Sequence, residues 1–239
     1  MGKMKIKTDL HCHTLASVHA YSTIKEMVDS AVEKGLELIA LTDHGVGMDP
    51  HIPFAFFCNY KEIPDYLSGV RVLCGCEVNI LDNKGTLDMP EELLKSMDFV
   101  GVSVHDGIHE GMDEDHTECY LKLLEKPYVD MLCHSGNPRA EYDIDTVLKR
   151  AGELHKLIEI NAHTFSVRPA NVKNCRKIAE RAKALGVGIA VNSDAHFYTT
   201  VNQIEPALAM LREIDFPEEL IMNRSYAALK DYLKDRRTI

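Results

Sequence analysis

The chain has 239 residues, 45% of them hydrophobic and 27% charged, which suits one α/β barrel or one-and-a-half ordinary domains and excludes a disordered composition. Its formal charge of −10 argues against a general nucleic-acid binder, which would carry a basic stripe. It contains no run of about eighteen apolar residues that would suggest a membrane span, and its start, MGKMKIKTDLH, lacks the apolar core of a secretory signal.

Taken in chain order, short apolar runs alternate with longer amphipathic ones. The predicted strands are MKIKTDL, LELIALT, RVLCGCE, DFVGVSV, VDMLC, LIEIN and VGIAVNS. Between them, TIKEMVDSAVEKG reads as a helix with Thr23 as N-cap, Glu26 completing a capping box and Gly35 as its stop. DEDHTECYLKLLEK, DIDTVLKRAGELHK and NVKNCRKIAERAKALG follow as helices, then QIEPALAMLREI and YAALKDYLKD. The segment MDPHIPFAFFCNYKEIP reads as apolar packing over the body of the fold. With no linker, repeat or low-complexity stretch, one domain over 1–239 is expected. Ile6 departs from the myristoylation pattern after Met1-Gly2. The seven cysteines form no CxxC pair and sit mostly in apolar runs, so they read as reduced thiols, and the expected compartment is the cytoplasm. Cys12 and Cys133, each beside a histidine, read as packing residues because strand alternation turns neighbours apart.

Seven strands alternating with helices imply a parallel sheet covered on both faces. Each strand delivers polar residues at its C-terminal end. His11 and His13 follow the first, His44 the second and Glu77 the third. His105 and His134 follow the fourth and fifth, Asn161 and His163 the sixth, Asp194 and His196 the seventh. An open sheet could hardly bring seven consecutive ends together, and there is no GxGxxG or GxxxxGK[ST] phosphate loop. A closed barrel collects all its strand ends on one face.

The convergent set is His11, His13, His19, His44, His105, His134, His196, Glu77 and Asp194. It is too large for one zinc site, which uses about three protein ligands when catalytic. Shared among carboxylate-bridged sites, it suits two or three metals. The His-x-His and Asp-x-His spacings project side chains to one side of an extended strand. Any one of these histidines alone could be a core or loop residue, and His51, His109, His116 and His155 read that way, the last two as helix-surface residues.

The series DLHCHT, TDH, GCE, the isolated strand-end histidines and SDAH, spread from Asp9 to His196, resembles the PHP family, the polymerase and histidinol phosphatase superfamily. ASVHAYST and CHSGNP look like its stand-alone bacterial phosphatase branch. The resemblance implies a distorted (βα)7 TIM-like barrel with three divalent ions, zinc in the usual description and manganese or iron in relatives. It would put His11, His13, Glu77 and Asp194 on one ion. Glu77 would bridge to a second ion on His105 and His134, with His19, His44 and His196 on the third. Asp9 and Asp43 match as acceptors that fix histidine tautomers. Relatives in this branch include trimers, but no interface signal stands out in the sequence.

Three divalent ions bring about +6 against −2 from two carboxylates, a surplus suited to hydroxide and a phosphate dianion. The expected activity is hydrolysis of small phosphomonoesters by a metal-bound hydroxide, with Glu77 and Asp194 as site carboxylates. Arg168, Arg139 and His163 are the substrate-contact candidates; a fork of arginine donors would suit phosphate oxygens. A phosphodiesterase or exonuclease acting on nucleotides or single-stranded ends is the alternative, which the acidic balance disfavours. A non-enzymatic metal-binding module is the second, which an open, carboxylate-bridged ligand set disfavours.

Overall fold

The computed structural model describes residues 4–48 and 52–233. Eight strands run through it: β1 (Thr8–Cys12), β2 (Leu38–His44), β3 (Tyr66–Leu67), β4 (Val70–Asn79), β5 (Phe99–Ser103), β6 (Met131–Leu132), β7 (Leu157–Asn161) and β8 (Ala190–Asn192). Seven lie side by side and parallel in the order β1-β2-β4-β5-β6-β7-β8, and β3 pairs antiparallel with β4. β3 was not among the predicted strands. It is the first arm of a tight hairpin whose two turn residues, Ser68 and Gly69, both have positive φ, the geometry that favours short hairpin loops.

The ring closes between β8 and β1, though not by a full ladder. At the C-terminal end, Cys12 bridges Ala195, and the His13 N–H donates to the Ala195 carbonyl at 2.8 Å. Further down, the side chain of Asn223 fills the gap. Its Oδ1 accepts the Val191 N–H at 2.8 Å, and its Nδ2 donates to the Val191 and Thr8 carbonyls at 2.7 and 3.2 Å. One primary amide supplies hydrogen bonds that neighbouring strands would otherwise exchange, so buried backbone groups at the seam are satisfied.

Alternation sorts the strand residues into two apolar clusters. Leu10, Leu38, Leu73, Phe99, Met131 and Leu157 fill the ring from within, with Leu229 at its base. Ile39, Leu41, Val72, Val100, Ile158 and Val191 face outward against the helices. Gly75 makes room inside, since a β-carbon there would stand 2.1 Å from the Phe99 carbonyl oxygen. The register of β1 slips between Asp9 and Cys12. This bulge lets Leu10 join the inner cluster while His11, the next residue, also points inward.

The longer helices are α1 (Ile24–Glu33), α4 (Thr117–Leu124), α5 (Ile144–Glu153), α7 (Val172–Leu185) and α8 (Glu205–Glu213); α2 (Phe54–Cys58), α3 (Glu91–Lys95), α6 (Thr164–Val167) and α9 (Tyr226–Leu229) are single turns. The Thr23–Glu26 capping box forms as the sequence predicts, and Gly186 ends α7 in the left-handed region. α9 falls at the start of the predicted helix YAALKDYLKD, whereas α2, α3 and α6 went unpredicted because they are too brief to show periodicity. Ile52, Phe57 and Tyr60 pack into the outer cluster, as the apolar reading of that segment expects. His51 and the end of the last predicted helix, beyond 233, lie outside the described residues.

Candidate metal centre

The C-terminal rim of the barrel gathers the nine singled-out side chains into one cluster. His11 and His13 direct Nε2 at Glu77 Oε2, at 3.3 and 3.5 Å, and at Asp194 Oδ1, at 3.5 and 3.2 Å. The other oxygen of Glu77, Oε1, lies 2.7 Å from His134 Nε2 and 3.6 Å from His105 Nε2. His44 stands between groups, with Nδ1 2.9 Å from Glu77 Oε2 and Nε2 3.1 Å from His19 Nε2. The rings of His44 and His196 lie 4.8 and 4.9 Å from that of His19, centroid to centroid. Two positions reach inward only by adopting the left-handed region, His134 at φ 29° and Asp194 at φ 53°. Backbone strain of this kind persists where surrounding structure holds it and concentrates at functional sites.

Partners behind the rings fix which nitrogen faces the cluster. Glu159, 1% exposed and unremarked in the sequence reading, accepts a hydrogen bond from His11 Nδ1 at 2.8 Å. Its carboxylate also accepts from the His134 N–H at 2.8 Å, Asn192 Nδ2 at 2.9 Å and Asn161 Nδ2 at 3.1 Å. Asn79 presents Oδ1 to His105 Nδ1 at 2.7 Å because its Nδ2 is committed to Asp88 at 2.6 Å. Ser17 donates its hydroxyl to Asp43 at 2.6 Å, leaving lone pairs for the His44 N–H and for His13 Nδ1, each at 3.1 Å. His196 Nδ1 donates to the Asp194 carbonyl at 2.9 Å. In all four rings, therefore, Nδ1 carries a proton and Nε2 is the nitrogen turned to the cluster.

Electrostatics follow this arrangement. Burial alone would raise the Glu77 carboxyl, but His11, His105, His44 and His134 around it hold it well below the usual range. Asp194 is likewise held low against its burial, chiefly by His11 and His13. Burial works against a proton on His11, yet Glu159, Asp194 and Glu77 raise it well above an ordinary histidine. His105 is driven by burial down to about 3, and His19 by burial and the neighbouring His44 and His196 to about 4. Buried His11 Nε2, His13 Nε2, His44 Nδ1 and Glu77 Oε2 lack hydrogen-bond partners. Imidazole lone pairs facing ionised carboxylates, nearly all acceptors, form a donor set that fits divalent transition metals.

The remaining sequence candidates divide. Asp43 acts on His13 through Ser17, as an acceptor expected to fix a tautomer. For Asp9 the expectation fails: its carboxylate accepts from Ser193 Oγ and N and from the Asn202 N–H, with no imidazole ring among these partners. It points away from the site because the β1 bulge leaves it facing outward opposite Ile39, and it steadies the turn that carries Asp194. Arg168 reaches Asp194 Oδ2 at 3.3 Å, and His163 Nδ1 stands 3.7 Å from the same oxygen. Arg139 spends its fork on Asp113, with Nη2 at 2.8 Å, on the protein surface. Both arginines nonetheless line a cleft of about 670 Å³ that His105 and His134 also face.

Cys12 packs in the outer cluster, whereas Cys133 lies in the inner one with Sγ within 4.8 Å of ligand atoms of His11 and Glu77. Burial pushes its thiol far up, so it stays protonated at neutral pH. His155 is exposed beyond the end of α5, but His116 is 0% exposed, not a helix-surface residue, because it precedes α4 with its ring turned in against His109 and the Glu114 carbonyl. Glu159 and Asn79 were legible in principle as polar residues inside otherwise apolar buried strands. Ser17 and Asp88 carry no such signal.

A parallel α/β barrel with clustered histidine and carboxylate side chains suited to metal on its C-terminal rim defines a metal-dependent barrel protein. The PHP domain model matches residues 9–193, and the chain belongs to that family. It is 43% identical over 235 residues, 98% of both chains, to a probable phosphatase of Acetivibrio thermocellus. A probable phosphatase of Thermoanaerobacter sp. strain X514 is also 43% identical, over 98% of this chain and 97% of the relative. Among solved structures, it is similar in fold to histidinol phosphate phosphatase from Lactococcus lactis, a complex with zinc, L-histidinol and phosphate. The TM-score is 0.59 at 19% identity, covering 88% of this chain and 94% of that one.

Proposed function

We propose that the protein is a metal-dependent phosphatase that hydrolyses small phosphomonoesters at a centre for three divalent ions. His11, His13, Glu77 and Asp194 would hold the first. Glu77 would also serve the second, with His105 and His134, and His19, His44 and His196 would hold the third. The observation that carries this reading is the fixed proton on the outer nitrogen of four imidazoles, which aims their lone pairs and two ionised carboxylates at one mouth. The names of the Acetivibrio and Thermoanaerobacter relatives, and the zinc, histidinol and phosphate in the Lactococcus lactis complex, support the phosphatase class.

Bound divalent ions supply positive charge for phosphoryl oxygens and make water acidic enough to react near neutral pH. The chain supplies the rest. Glu77 divides its two oxygens between His11, His13 and His44 on one side and His105 and His134 on the other. Asp194 turns Oδ1 to His11 and His13, while Asn161 and Arg168 hold Oδ2. Arg168 stands where it can grip a phosphate oxygen, His163 flanks it, and Arg139 lines the far wall of the cleft. A cleft of about 670 Å³ takes a small ester, within the range of small-molecule sites. No protein nucleophile is needed: the Cys133 thiol stays protonated and the Ser17 hydroxyl is committed to Asp43.

The barrel works as one domain over 1–239. Zinc suits the imidazole-rich donors, with manganese and iron as the other fitting ions. The seven cysteines, all free, fit a reducing compartment, and we place the protein in the cytoplasm. No described helix is long and apolar enough to cross a membrane. The test is hydrolysis of p-nitrophenyl phosphate beside its bis-ester by zinc- or manganese-loaded protein, with the His11→Ala/Asp194→Ala variant as blank. Monoester preference lost in the variant supports the reading. Diester preference would move the substrate to nucleotides or nucleic-acid ends.

A further inference from the structure

Two histidines outside the centre present the same chemistry in a smaller space. His109 is 6% exposed and His116 is 0% exposed, and their Nε2 atoms face each other at 2.9 Å. The other nitrogen of each ring is 2.8–2.9 Å from a backbone carbonyl, His109 Nδ1 from that of Ile80 and His116 Nδ1 from that of Glu114. A carbonyl only accepts, so both protons belong on Nδ1 and both Nε2 atoms carry lone pairs. A third acceptor joins them: Asn83 Oδ1 lies 3.1 Å from His109 Nε2. Its orientation is fixed, because Asn83 Nδ2 donates to Glu114 Oε2 at 2.6 Å and to the Gly111 carbonyl at 3.2 Å. Three acceptors thus converge with no hydrogen between them, an arrangement that only a cation or an extra proton resolves.

We propose that His109 Nε2, His116 Nε2 and Asn83 Oδ1 form a separate site for one transition-metal ion of the zinc type. Zinc binds imidazole nitrogen at about 2.0–2.1 Å, and two nitrogens on a tetrahedral ion stand about 3.3 Å apart. The rings would open by only a few tenths of an ångström. The surroundings are already built. Gly111, at φ +100°, lets the loop close over Asn83, where a β-carbon would meet Asn83 Nδ2 at 2.8 Å. The Glu110 N–H is tied to the Leu81 carbonyl at 2.7 Å and the His116 N–H to that of Glu141 at 2.8 Å. The site joins the loop after β4, the loop after β5 and the start of α4. The loop after β5 also carries His105, whose carbonyl accepts the His109 N–H at 3.1 Å. An ion here would pin the segment that presents His105 without touching the centre itself.

The test is zinc content per chain at buffered free zinc, for wild type and for a His109→Gln/His116→Gln variant. The expected result is one ion fewer in the variant with the remaining complement kept. Equal content in the two proteins overturns the proposal and assigns the short contact to a shared proton. If the double variant loses its zinc altogether through misfolding, Asn83→Ala decides. Removing one of the three donors is expected to weaken one zinc equivalent by about tenfold or more while the remaining complement is kept, and unchanged affinity overturns the proposal.

Discussion

Glu159 and His11 form a buried pair, carboxylate to imidazole at 2.8 Å, one layer beneath the rim of the barrel. The pair sets the His11 proton on Nδ1 and raises the basicity of Nε2, which faces Glu77 and Asp194. Glu159→Gln keeps the shape and removes the charge. Partners of this kind typically contribute 10–100-fold in metal affinity. The variant is therefore expected to bind zinc about 10–100-fold more weakly with an unchanged circular dichroism spectrum, checked by competition with a chromophoric chelator. Affinity equal to wild type would remove Glu159 from the site.

Arg168 and Arg139 line the same cleft but differ in commitment. Arg168, held at 3.3 Å from a carboxylate that other groups also grip, can turn to a phosphate. A charged hydrogen bond is worth about 1.5–3 kcal/mol, so Arg168→Ala is expected to lower kcat/KM by about 10–100-fold on a phosphomonoester. Arg139 already satisfies Asp113 at the surface, and Arg139→Ala is expected to cost less than about fivefold. Steady-state kinetics on both variants check the order.

Metal-free protein is expected to lose stability on mild acidification. His105 and His19, lowered to about 3 and about 4, titrate near 6.5 once unfolded. Between pH 6.5 and about 4 the unfolded chain takes up protons that the folded chain refuses, so stability falls as pH is lowered through that window. His11 runs the other way: its raised value gives a contribution present in full below pH 6.5 and lost as pH rises through the folded value. Urea denaturation of chelator-treated protein at pH 7, 5.5 and 4.5 measures the fall. A flat profile would show that solvent reaches the imidazoles.

Asn223→Ala would strip the seam of its amide, leaving the Val191 N–H and the Val191 and Thr8 carbonyls short of partners. Each unsatisfied buried group costs about 1–3 kcal/mol, so a loss of about 3 kcal/mol or more is expected. At this chain length that is a drop of about 6–12 °C in Tm, read by calorimetry.

The seven barrel strands were legible because they are apolar runs separated by periodic helices, and LIEIN coincides with β7 from end to end. Their limits were less so. The run MKIKTDL was read as ending before His11, whereas β1 runs from Thr8 to Cys12 and so carries that ligand candidate on the strand itself. The bulge that turns both Leu10 and His11 inward leaves no local mark, since it is imposed by pairing with β2. The nine clustered positions could be picked out because histidine at strand ends has no packing reason to recur. Supports such as Ser17 and Asp88 could not, because they are ordinary residues until the fold places them behind a ring or behind the residue that holds one.

The seam has a temporal consequence. All nine clustered side chains lie at or before His196 and so emerge from the ribosome ahead of residue 223, whose amide splices the first strand to the last. Ion capture and ring closure are thus separable events during synthesis, the donors arriving first and the joint last. A nascent chain paused between these points would hold every donor of the centre inside an unspliced hoop.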